Sequence, residues 1–169
     1  MSDTQPQTIH FTLPGAVLTP GFWLHVWRVN TCDGRKMLYV GRTGDSSSAN
    51  AAPPYRRIGQ HLGTLAATNM LRTDLLKRDV SPEDCQTFEF IGHGPLFPPQ
   101  FDLVTHKPVR DIVAAQEKAL ADALKKAGYD VLNTVSSNKP LDAALWAQVR
   151  TALAPSFPEL ARACQRRSG

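Results

Sequence analysis

Tyr39, Arg57, His61 and Glu117 are the side chains whose types and spacing suit one chemistry, the cutting of a phosphodiester. Tyr39 lies in Leu38-Tyr39-Val40-Gly41, which reads as a strand, so its phenol shares a face with Met37 and Gly41. Gly41 itself leaves room for a backbone or a phosphate to approach closely. Arg57 and His61 are four apart in a helical pattern and share a helix face. Arg57 can hold a non-bridging phosphate oxygen by charge-assisted hydrogen bonds. His61 can hold phosphate, or orient a water and shuttle a proton near neutral pH. Glu117 falls four residues after Val113 and three before Leu120, on the apolar stripe of a long helix. An ionised group there needs a metal or a partner such as an arginine, because burial alone costs several kcal/mol.

These side chains need elements to place them. Phe22 to Val29 is rich in aromatic and β-branched residues and reads as a strand; Asn30 to Arg35, with Asp33-Gly34, reads as a hairpin turn, and Met37 to Gly41 returns. Ile9, Phe11 and Leu13 alternate as a short edge strand would. Asp45 to Pro54 is a Ser/Ala/Pro loop. Helical patterns cover Tyr55 to Thr68 and Met70 to Arg78, a third strand covers Thr87 to Ile91, and Gly92 to Phe101 is a Gly/Pro-rich connection. The longest helix is expected from Lys107 to Ala127, with Pro108 in its first turn and Gly128 as its stop. Leu141, Leu145, Val149 and Leu153 mark an amphipathic helix in a tail that packs on the core or recruits a partner.

Composition is that of a globular chain, 42% hydrophobic and 20% charged. No apolar run is long enough for a membrane span, and the polar start, Met1 to Gln5, is unlike a secretory signal. Cys32, Cys85 and Cys164 are scattered, which suits free thiols in a reducing cytoplasm. The net charge of +4 is carried wholly between His25 and Leu62, by Arg28, Arg35, Lys36, Arg42, Arg56 and Arg57 against Asp33 and Asp45. Such a local basic field suits a polyanion. Arg42 and Arg56 are therefore added to the ligand-binding set. Arg56 adjoins Arg57, and the spacing to His61 favours Arg57 as the catalytic cation.

The ordered set resembles the GIY-YIG nuclease superfamily. His25-Val26-Trp27 aligns with its first motif, Leu38-Tyr39-Val40-Gly41-Arg42-Thr43-Gly44-Asp45 with its second, and Arg57-Ile58-Gly59-Gln60-His61-Leu62 with its Arg-to-His helix. Glu117 stands at the metal-binding Glu and Leu132-Asn133 at the trailing Asn, so the likeness covers about Phe22 to Thr134. The resemblance implies catalysis by Tyr39, Arg57 and His61, one Mg²⁺ or Mn²⁺ on Glu117, and Asn133 at the rim of the ligand-binding set, bracing the site through hydrogen bonds. The chain departs from the pattern at Trp27, where the family carries a tyrosine often assigned as general base. Indole cannot accept a proton from water. His25, two residues earlier on the same strand face, or His61 takes that role, or hydrolysis is impaired.

The expected architecture is α+β, a small three-stranded antiparallel sheet flanked by helices, GIY-YIG-like. An N-terminal extension covers 1–21, the nuclease-like domain 22–135, and a helical C-terminal extension 136–169. The expected activity is metal-dependent endonucleolytic hydrolysis of DNA. The competing readings are a nucleic-acid-binding module that does not cut, and an interaction domain whose C-terminal helices carry the function.

Overall fold

Residues 6–165 are described by a computed structural model, with side chains through Ala161. Three antiparallel strands, β1 (Phe22–Thr31), β2 (Lys36–Arg42) and β3 (Cys85–Phe97), form one sheet in the order β2-β1-β3. Helices α1 (Pro54–Leu62) and α2 (Met70–Leu76) lie between β2 and β3; α3 (Leu103–Lys126), α4 (Ala143–Leu153) and α5 (Pro158–Gln165) follow. The strand alternation of period two sorts the core into two halves. Phe22, Leu24, Val26, Leu38 and Val40 meet Val113, Leu120 and Leu124 of α3 and Val149, Leu153, Phe157 and Leu160 near the C-terminus. Trp27, Val29, Met37 and Tyr39 face the other way, onto Ile58 and Leu62 of α1 and Leu71 and Leu75 of α2. The C-terminal tail thus spends its apolar side on the core. Among the described residues no helix is long and apolar enough to cross a membrane.

Several boundaries differ from the sequence reading, each for a local reason. Residues 6–14 form no strand and are mostly exposed. The first helix stops at Leu62 because Gly63 turns extended. The Gly/Pro run is no simple connection: β3 continues through it to Phe97, and a register shift against β1 absorbs the extra residues. Gly94, at φ 152, is required there, since a Cβ would stand 2.9 Å from the Trp23 ring. The long helix begins at Leu103, capped by the Asp102 carboxylate accepting from the Thr105 N–H. Pro108 therefore lies beyond the first turn, where it withholds a hydrogen bond from the Val104 carbonyl. Cys32 and Cys85 are free thiols; Cys164 lies outside the residues with described side chains.

The open edge of β2 is closed by residues 130–133. Leu38 N–H donates to the Asp130 carbonyl at 2.8 Å, and Leu132 N–H donates to the Leu38 carbonyl at 2.8 Å. Asn133 extends this ladder with its side chain, its amide oxygen accepting from Val40 N–H at 3.0 Å and its NH₂ donating to the Val40 carbonyl at 2.7 Å. Asn133, placed with the ligand-binding set as a hydrogen-bonding brace, acts here on β2 itself: its amide is engaged as a surrogate peptide bond. Asn133→Ala is expected to cost roughly 2 kcal/mol in chemical denaturation, two modest net hydrogen bonds.

Candidate functional site

Tyr39, Arg42, Arg57, His61 and Glu117 line one cavity of about 340 Å³ beside the C-terminal half of β2. Each arrives on a different logic. Arg42 follows Leu38 and Val40 on the α3 side of the sheet, and its Nε lies 3.1 Å from Glu117 Oε2. Tyr39 and Gly41 come from the opposite face, and α1 places Arg57 and His61 one turn apart. Gly41, Asp45, Ser46 and Ser47 and, across from them, Thr68 and Met70 also line it.

Both cavity arginines already hold carboxylates. Glu117, expected to bind a metal or an arginine, is paired with Arg42, the two side chains 16% and 17% exposed. Burial raises its pKa above the usual carboxylate range, opposed by Arg42 and then Arg57. Arg57 Nη2 meets Asp45 Oδ1 at 3.3 Å, and Arg57 also donates to Gln60. The broader basic segment is likewise compensated, with Arg28 on Glu89 and Arg35 on Asp33. Among the described residues only Lys36 and Arg56 of those six cations lack an ion pair. Arg56 is exposed and outside the cavity lining, so it is not brought to the site.

The aromatic wall is more constrained. His61 is buried, with its ring against Tyr39 at 5.2 Å and His25 at 5.3 Å between centroids. Trp27 Nε1–H donates to His61 Nδ1 at 3.0 Å. Burial, then the Arg57 charge, lowers the His61 pKa to about 4, so the ring is neutral at physiological pH. Burial, with Glu117 and Asp74 adding to it, raises the Tyr39 pKa, keeping a protonated phenol that can donate a hydrogen bond. His25 is sealed, stacked on Phe90 at 5.0 Å, and neither ring nitrogen has a partner. Its expected role as a relocated general base is corrected: it lies outside the cavity lining, and burial holds its pKa well below the ordinary value. Gly41 lines the cavity with its backbone, while the space a side chain there would need is filled by the His25 ring.

Sequence reasoning missed Asp45 as a functional group. It read the 45–54 stretch as a loop, yet Asp45 accepts from Ser48 and Asn50, and its carbonyl meets His106 Nε2 at 2.9 Å. Arg110 of α3 clasps the neighbouring Ser46 carbonyl at 2.9 Å. The one available signal was position: Asp45 ends the Arg42-Thr43-Gly44-Asp45 run that continues the second motif.

Glu117 offers one carboxylate in a polar cavity, and Asp45 lines the same space. Among the described residues no group of three or more His, Cys, Asp and Glu converges on a point. Mg²⁺ binds through one or two carboxylates, substrate phosphates and retained waters, and Glu117, already paired with Arg42, is the carboxylate that would hold one here. No family model, no curated protein and no solved structure matches the chain.

Proposed function

We propose that this chain is a metal-dependent endonuclease that hydrolyses phosphodiester bonds of DNA on a GIY-YIG-like fold. The observation that carries the reading is the convergence of Tyr39, Arg42, Arg57, His61 and Glu117 on one cavity from β2, α1 and α3. They come from three elements separated in sequence, and the fold brings their polar ends to one space. Arg57 exchanges Asp45 for a non-bridging phosphate oxygen and stabilises the charge that develops at phosphorus. Tyr39 and His61 orient the phosphate or the attacking water by hydrogen bonds. Arg42 holds the Glu117 carboxylate in place. Glu117 would hold a divalent cation, which would supply Lewis-acid charge to the phosphate and the leaving oxygen.

A second reading, a nucleic-acid-binding module that does not cut, is favoured by one observation: Trp27 occupies the motif position of the base, and His25 is sealed from the cavity. Supercoiled plasmid with Mg²⁺ or Mn²⁺, against the same reaction in EDTA, separates the two. Metal-dependent nicking is the result expected. Absence of nicking, with salt-sensitive binding retained, would instead establish the binding module. On either reading Arg57→Ala is expected to weaken duplex binding in EDTA by about tenfold or more, the worth of a charge-assisted hydrogen bond. Unchanged affinity would remove Arg57 from the site.

A further inference from the structure

The bond between Trp27 and His61 does more than pack the wall of the cavity. Indole Nε1 is only ever a donor, so at 3.0 Å from His61 Nδ1 it requires that nitrogen to be the acceptor. A neutral imidazole that accepts at Nδ1 carries its proton on Nε2. The titratable and charged groups facing the ring are His25 on β1, Tyr39 on β2 and Arg57 on α1 itself. Among the described residues no carboxylate hydrogen-bonds His61, so nothing at the ring favours a second proton.

We infer that Trp27 is a positioning residue that fixes His61 as the Nε2–H tautomer, so that His61 presents a hydrogen-bond donor, and no lone pair, to the phosphate in the cavity. The tautomer follows from the bond alone; its use toward phosphate rests on the endonuclease reading above. His61 is thereby withdrawn as the base that deprotonates water. It becomes a neutral electrophile, a role imidazole fills where its charged form is suppressed. The departure at Trp27 then has a positive function. It replaces a group that could exchange a proton with one that can only give a hydrogen bond.

The test uses the full chain labelled with ¹⁵N-histidine, without metal, and long-range ¹H–¹⁵N correlation spectra, with His61→Gln identifying the signals. Expected is one protonated Nε2 and one unprotonated Nδ1 at neutral pH, with no second proton gained down to pH 5. In Trp27→Phe the lock is gone, and a mixture of tautomers should appear. Duplex affinity in EDTA should fall several-fold in that variant. His61→Gln, which keeps an amide donor, should bind better than His61→Ala. A proton on Nδ1 in the unmodified protein would overturn the inference, as would an unmixed Nε2–H form in folded Trp27→Phe. Should Trp27→Phe not fold, a proton on Nδ1 in the wild-type spectrum would still overturn the inference. A fixed tautomer in a protein that nicks nothing would leave this inference standing and sink the endonuclease reading alone.

Discussion

Glu117→Gln is expected to abolish metal-dependent plasmid nicking, a loss on the order of a thousandfold, while leaving the fold at least as stable as before. The two halves of that result have one cause. Glu117 lies between Val113 and Leu120 on the side of α3 that meets the sheet, where burial outweighs the pull of Arg42 and raises its pKa. A carboxyl with a raised folded pKa binds its proton more tightly in the folded state than in the unfolded chain. Stability is then highest below the unfolded value and falls as pH rises through the window up to the folded value. At neutral pH the ionised carboxylate therefore opposes folding, and Arg42 at 3.1 Å offsets this only in part. Glutamine removes the ionisation while keeping the size and polarity of the side chain beside Arg42. It cannot supply the negative charge that a divalent cation requires. Thermal melts beside nicking assays check both halves. Nicking within about tenfold of wild type would exclude Glu117 as the metal carboxylate. A large drop in melting temperature would instead make it a structural partner of Arg42.

The site was legible in the sequence wherever a residue's role follows from its own element. Helical spacing placed Arg57 and His61 on one face, and the position of Glu117 on an apolar stripe already required a partner for its charge. The hairpin and the α+β architecture followed from alternation and from Asp33-Gly34 for the same reason. What escaped was set by tertiary neighbours. Nothing local shows that the Asp45 carboxylate turns back onto Arg57, because the approach depends on α3 holding the loop through His106 and Arg110. Nothing local distinguishes Asn133 as a ligand from Asn133 as an edge brace, which is decided by 130–133 lying against β2. The length of β3 was missed because Gly94-Pro95 ordinarily ends a strand, whereas here a bulge over Trp23 absorbs it. Basic residues counted along the chain overstated the free positive field, since Arg28, Arg42 and Arg57 are paired with acids distant in sequence.

Gly41→Ala is expected to destabilise the fold through His25. The two residues face each other across β1 and β2, and a Cβ at position 41 would stand 2.4 Å from His25 Nε2 and 2.8 Å from its Cε1. The imidazole cannot retreat cheaply, being fully buried with Phe90 stacked on one side and His61 on another. Overpacking of this kind costs roughly 1–3 kcal/mol or more, and displacement of His25 would press on His61 and so on the cavity. His25→Ala removes the clash at its source and also removes two buried nitrogens without hydrogen-bond partners. The double variant should therefore be more stable than the sum of the single effects, by about 1–3 kcal/mol in a double-mutant cycle. Additive effects would show that the two residues do not share one space. The cycle also decides what the glycine is for. A Gly41 that made room for a phosphate would, when replaced by alanine, weaken DNA binding at unchanged stability, and His25→Ala would rescue nothing. A Gly41 that seats His25 loses stability first, and recovers both stability and binding when the ring is removed.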